Sequence, residues 1–260
     1  EKIGALGITE PGAGSDVASI RTSAKRVDGG FLVNGSKTFI TNGVRADFMV
    51  CAVKTTEEGG HGGISFLVLE SDMPGYEVTS KLEKLGWHAS DTGEIAFSDV
   101  FVPEEHLLGE ENGGFQQIMA NFAWERLLMS IGAIGAMDRL IEVSVAYAKE
   151  RQAFGKPIWS FQNTRFKLAE VQATVLAARA MVDAAMLAHL KGELGVDRAA
   201  LLKYWVTEQQ GKVMDECLQL FGGYGYMSEY PIAELYTDAR VQRIYGGTNE
   251  IMKELASRFM

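Results

Sequence analysis

The chain has 260 residues, 47% of them hydrophobic and 23% charged, with a net charge of −9. That composition excludes collagen-like, disulfide-scaffolded and disordered chains, and it offers no basic face to neutralise nucleic-acid phosphates. No unbroken run approaches about 18 apolar residues, so no membrane span is expected, and no basic-then-apolar leader opens the chain.

Residues 1–110 hold most of the glycines and short runs of β character, at 31–33 (Phe-Leu-Val), 48–53 (Phe-Met-Val-Cys-Ala-Val) and 64–69 (Ile-Ser-Phe-Leu-Val-Leu). Turn signals separate them: Asp-Gly-Gly at 28–30, Asn-Gly at 34–35 and at 42–43, Pro-Gly at 74–75. Strands with little helix between them predict an antiparallel sheet, closed as a barrel or sandwich to protect its edges.

From about Gly114 the period becomes helical. Leu127, Leu128, Ile131, Ile134, Asp138, Ile141 and Val145 mark one helix. Leu168, Val171, Val175, Ala178, Val182 and Ala185 step by threes and fours along a second. A third starts after Asp197 as N-cap and runs to Phe221, ended by Gly222 and Gly223. Pro231 opens a fourth, and a short last helix follows Gly246 and Gly247. Short connections make the long helices antiparallel neighbours. The fold class is α+β, with an antiparallel β-barrel or sandwich domain over 1–110 and a C-terminal four-helix bundle over 111–260.

Residues 9–16, Thr-Glu-Pro-Gly-Ala-Gly-Ser-Asp, follow an apolar strand. Such a loop lets backbone amides approach an anion, or it is an ordinary wide turn. It is neither a Walker loop nor a dinucleotide fingerprint, and no helix pattern follows, which disfavours a nicotinamide site. His61, His88, His106 and His189 have no metal-ligand spacing, so no metal is expected. Cys51 and Cys217 read as buried free thiols. Glu125 and Arg126 precede the apolar run 127–131; a first-turn glutamate favoured by the helix dipole is the plain reading, and a proton-abstracting base is the other.

Together, residues 9–16, 34–42 (Asn-Gly-Ser-Lys-Thr-Phe-Ile-Thr-Asn), 151–155 (Arg-Gln-Ala-Phe-Gly), 219–225 (Gln-Leu-Phe-Gly-Gly-Tyr-Gly) and 245–250 (Tyr-Gly-Gly-Thr-Asn-Glu) resemble acyl-CoA dehydrogenase motifs, in the family's order. The final motif looks most like the long-chain branch, and the family's usual N-terminal helical domain does not precede the strands. The resemblance implies FAD as cofactor, an acyl-CoA substrate, electron-transfer flavoprotein as acceptor, a homodimer or homotetramer, and a bacterial cytoplasmic or mitochondrial matrix setting. It implies that Leu6, Ile8, Thr9, Gly14 and Ser15 wrap the flavin and its pyrophosphate, and that Phe39, Ile40 and Thr41 pack on the ring system. Arg151, Phe154, Gln162, Gln219, Leu220, Gly222 and Gly223 match residues that reach a neighbouring subunit's FAD, and Thr248, Asn249 and Glu250 match a further FAD-binding segment. Substrate contacts fall by the same resemblance on Ser15, Ala123, Trp124, Arg126, Gly246 and Gly247.

Most relatives place a catalytic glutamate directly after the tyrosine of the last motif, where this chain has Gly246. The segment around Glu125 resembles the long-chain and isovaleryl branches, which take their base from this neighbouring helix. Glu125 is therefore the expected base, Arg126 its holder, and the Gly246 amide a donor to the thioester oxygen; Glu250 is the acidic rival. Two other readings stand beside the dehydrogenase. One is an oxidase with the same fold that passes electrons to oxygen, and the other is a non-catalytic scaffold or heteromeric partner.

Overall fold

A computed structural model describes residues 1–56 and 60–260. Its first unit, Glu1–Ala120, is built on seven strands: β1 Gly4–Gly7, β2 Ser23–Val27, β3 Gly30–Thr41, β4 Phe48–Lys54, β5 Ile64–Glu70, β6 Tyr76–Lys81 and β7 Thr92–Pro103. Their order is β1-β4-β2-β3-β7-β6, with β5 also paired to β4. Most pairings are antiparallel, as expected, but β1 runs parallel to β4, so the sheet is mixed. One core cluster draws Ala5, Phe31, Val33, Met49, Cys51, Leu67, Leu69, Ile95 and Val102 from β1, β3, β4, β5 and β7, which a single sheet achieves by curling over its own face. Each fully buried side chain of this size contributes about 1.5–3 kcal/mol.

The Asn-Gly step at 34–35 makes no turn. β3 runs straight through it, with a register shift against β7 between Val33 and Gly35 and Gly35 at φ 146°. A methyl group at Gly35 would lie 2.6 Å from Thr22 Cα, so glycine here serves a bulge and a close approach of the residue that leads into β2. The other turn signals hold, with Gly29 and Gly75 at positive φ and a turn over 42–45.

The second unit, Asn121–Met260, contains most of α1 Gly114–Glu150, then α2 Gln162–Leu190, α3 Val196–Phe221, α4 Pro231–Arg240 and α5 Asn249–Ser257. The division into compact units falls inside α1, whose first turns pack on the strands: Gly114 approaches the Ile64 carbonyl and Ile118 is buried. Along α1 the buried stripe is Leu127, Ile134, Met137, Leu140 and Ala148, while Leu128 and Asp138 face solvent, one position off the expected stripe. α2 buries Leu168, Val171, Val175, Ala178 and Val182 as expected. α3 starts two residues early, capped by Gly195, with Asp197 in its first turn, and ends at Gly222 with φ 58°. α4 joins α1–α3 in one core through Ile232 and Ala239, whereas α5 forms a smaller cluster with α3 through Met252 and Ala256.

α2 also carries an 18-residue window of mean hydropathy 1.4, long and apolar enough by composition to cross a membrane. The expectation of no span rested on unbroken runs and overlooks this helix, whose apolar residues are interrupted by small and polar ones. Its buried stripe packs into the bundle core.

Candidate active site

Glu125 is half-buried on α1, and burial raises its carboxyl pKa above the ordinary value, against the opposing pull of the Arg126 charge. Arg126 is 3% exposed, with its guanidinium over the Phe122 ring at 4.7 Å and its Nε and Nη1 without hydrogen-bond partners among the described residues. One helical turn after Glu125 comes Met129, on the same face of α1. A methyl group built on Gly246 would collide with the Met129 thioether end. Met129 thus fills the space that a side chain at 246 would need, and Gly246 at φ 62° and Gly247 at φ 89° form a turn that glycine adopts without strain.

That turn is fastened from beneath. Lys203 of α3, fully buried, donates from Nζ to the Gly247 carbonyl at 2.8 Å and to Asn249 Oδ1 at 3.0 Å. Asn249 Nδ2 in turn donates to Glu208 Oε1 at 2.9 Å and Thr207 Oγ1 at 3.0 Å. Thr248 caps α5 by accepting from the Ile251 amide. Glu250 lines a small cavity of about 140 Å³ with Glu208, Arg240, Arg243 and Thr248.

In the first unit, Leu6, Gly14, Ser15, Phe39 and Thr41 are exposed, Ile8 and Thr9 half-buried and Ile40 buried. Phe39 is 69% exposed at φ 58°, in a bulge of β3 between Lys37 and Ile40. The loop 9–16 is tied to β3 by the Thr38 amide donating to the Thr9 carbonyl. Beneath it, buried Lys37 donates to Glu10 Oε1 at 2.8 Å and to the Ile8 carbonyl at 3.1 Å. Glu10 also accepts from the amides of Arg21 and Thr22.

A third group lies within the helical unit. Arg151, Gln219, Leu220, Gly222 and Gly223 line one cleft of about 530 Å³ with Tyr147 and Tyr224. Arg151 stacks its guanidinium 5.3 Å from the Tyr224 ring. Gln162 is exposed, and Phe154, 95% exposed at φ 52°, sits at the tip of the two-stranded hairpin formed by Gln152–Ala153 and Lys156–Pro157.

Family models for the acyl-CoA dehydrogenase middle domain and C-terminal domain match residues 5–100 and 112–260. The chain belongs to the acyl-CoA dehydrogenase family. It is 47% identical over 259 residues to the mitochondrial long-chain specific acyl-CoA dehydrogenase of Mus musculus, covering 98% of this chain and 60% of that protein. A solved acyl-CoA dehydrogenase from Geobacillus kaustophilus superposes with a TM-score of 0.96 at 45% identity, over 98% of this chain and 68% of the other. Butyryl-CoA dehydrogenase from Megasphaera elsdenii gives 0.95 at 38%, over 99% and 68%. The chain therefore spans about 60% of the length of the long-chain specific relatives it matches.

Against the acyl-CoA dehydrogenase motifs, the structure brings Glu125, Arg126 and the Gly246–Gly247 turn into one region of the helical unit. Ala123 is half-buried, and Trp124, 37% exposed, stacks on His189 at 4.5 Å. Asn249 is placed differently from the ligand contact expected of it. Its side chain is 1% exposed and spends its amide on α3, so it holds the turn and has no free group to present. Lys37, Glu10 and Lys203 were not singled out by sequence; a lysine in a strand or helix reads as a solvated face unless a partner is known. His88 and His106 bond backbone carbonyls, and the His61 side chain lies outside the described residues. Among the described residues, no cluster of three His, Cys, Asp or Glu side chains could hold a metal.

FAD asks for a flat apolar support, close-approaching backbone at its phosphates and room for its bulk. An aromatic ring held outward at positive φ, an exposed glycine-serine loop and a glycine-floored cleft with an arginine meet those needs within their respective units.

Proposed function

We propose that this chain supplies the flavin-binding and catalytic segments of an FAD-dependent acyl-CoA dehydrogenase. It converts a fatty acyl-CoA thioester to the trans-2-enoyl-CoA and hands the electrons on to electron-transfer flavoprotein. The observation carrying this reading is the complementarity of Glu125 and Gly246: a half-buried carboxyl with raised pKa on α1, and Met129 one turn later occupying the side-chain space at 246.

The Glu125 carboxylate takes the proton from Cα of the thioester, and the electron pair of that C–H bond becomes the new Cα=Cβ π bond. FAD, when bound, accepts the hydride that leaves Cβ. Partial desolvation raises the basicity of Glu125, which the weakly acidic α-proton requires. The Arg126 charge opposes that rise and favours the carboxylate form. The Gly246 amide donates to the thioester oxygen as negative charge gathers there. Leu6, Ile8, Thr9, Gly14, Ser15, Phe39, Ile40 and Thr41 would hold the flavin, and Thr248 and Glu250 match a further flavin-binding segment of the family. The cleft of Arg151, Gln219, Leu220, Gly222 and Gly223, with Phe154 and Gln162 beside it in sequence, takes the cofactor of a partner subunit. Exposed apolar residues on α2, among them Phe166, Leu176 and Leu187, support an assembly of at least two chains. Mitochondrial and bacterial relatives favour a matrix or bacterial cytoplasmic setting.

Replacing Glu125 with Gln tests the reading: FAD stays bound while turnover drops about 10²–10⁴-fold, the range for a general base. Near-wild-type turnover removes Glu125 from the role. No comparison favours the scaffold reading, and oxygen uptake with substrate separates dehydrogenase from oxidase.

A further inference from the structure

The Gly246–Gly247 turn has little intrinsic order of its own, because two successive glycines at positive φ carry no side chain to lock them. Something else must hold it if its amide is to meet a developing negative charge without reorganising. Lys203 is the side chain that does so. Its ammonium comes from α3, is 0% exposed, and uses two donors on the turn and its cap segment: the Gly247 carbonyl and Asn249 Oδ1.

A buried ammonium is costly, and the charges around this one do not neutralise it closely. Burial first, then the repulsion of Arg126 from α1, bring its pKa down to about 8, against the attraction of Glu250 on α5 and Glu208 on α3. No carboxylate accepts a hydrogen bond from it among the described residues. A lysine kept there at such expense, with its bonds on a backbone carbonyl and an amide, is placed for geometry.

We propose that Lys203 is a positioning residue, which fixes the Gly246 amide against the thioester carbonyl by clamping Gly247 and Asn249. The inference rests on the dehydrogenase reading above. Asn249 relays the clamp, since its own amide is anchored on Glu208 and Thr207.

The test is made on the flavin-loaded full chain with an enoyl-CoA labelled with ¹³C at its thioester carbonyl, read by infrared difference spectroscopy. In the wild-type protein the bound carbonyl stretch lies below that of the free ligand. In Lys203→Met it returns more than halfway to the free value, and kcat falls about 10²-fold, the scale of an ångström-sized misplacement, with little change in KM or flavin content. Lys203→Gln, which is neutral but keeps N–H donors in its amide, shows a partial return. A purely structural role would lower the melting temperature and leave the stretch in place. That outcome, in whichever variant holds flavin and ligand, overturns the proposal. Should the wild-type protein itself leave the carbonyl unshifted, the dehydrogenase reading falls with it, whereas a shifted wild type with equally shifted variants overturns the role of Lys203 alone.

Discussion

Lys37 and Glu10 form an ion pair 2.8 Å long with side chains 0% and 7% exposed, which ties the glycine-rich loop to β3 through the loop's own second residue. Burial pushes the Glu10 carboxyl up, but the Lys37 charge and hydrogen bonds from Lys37, Thr22 and Arg21 outweigh it and hold the pKa below the usual value. Removing one partner leaves a buried charge uncompensated, so Lys37→Met is expected to cost about 3–5 kcal/mol, read by denaturant unfolding. A much smaller loss would mean that water or a neighbour replaces the ammonium. Because the folded pKa of Glu10 is lowered, the pair's contribution is present above about pH 4.5 and is lost as the pH falls through the folded value.

Glu125 shows the opposite sign. Burial raises its folded pKa, with Arg126 opposing. The base must be ionised, so the acid limb of kcat/KM should lie above the ordinary carboxylate range. Arg126→Met should move that limb to higher pH, since it removes the charge that favours the carboxylate. In stability terms, ionised Glu125 costs free energy once the pH exceeds its unfolded pKa, so Glu125→Gln should melt no lower than wild type at neutral pH. An acid limb that stays put in the arginine variant would separate Arg126 from the base.

How much of this was legible in the chain depends on whether a residue's neighbours are local. The stripe Leu168 to Val182 is set by helix period alone, and it is buried as read. Gly222 after Phe221 carries its own C-cap chemistry. Asn34-Gly35 carries the same local signal as a hairpin turn, but pairing of β3 with both β2 and β7 overrides it and leaves a bulge. The parallel partnership of β1 with β4 joins segments more than forty residues apart and has no local signature. Glu125 could be singled out only because the motif set resembled a family. Lys37 and Lys203 look like surface lysines until the fold brings Glu10 and Gly247 to them.

Gly246 offers a test of the turn independent of the lysine beneath it. At φ 62°, any side chain meets about 1–2 kcal/mol of backbone strain, and a methyl group there also presses on the Met129 thioether. Gly246→Ala should therefore lower unfolding free energy by at least about 1 kcal/mol and reduce kcat, because the amide shifts. Unchanged stability would show that Met129 and the turn yield together, and the turn would then be too soft to serve as a preorganised donor.

Phe39 separates cofactor binding from folding. Its ring is 69% exposed, so truncating it removes little buried area, and its backbone at φ 58° is one that aromatic residues rarely adopt. Strain without burial is what a ligand platform looks like before its ligand arrives. Phe39→Asn supplies a residue that tolerates this conformation and lacks the flat apolar face. The flavin-free protein should keep its unfolding free energy within about 1 kcal/mol of wild type or exceed it, while flavin retention after gel filtration, read from the visible flavin band, should fall sharply. If stability drops and flavin retention does not, the ring serves the fold, and the exposed face of β3 loses its place in the flavin site.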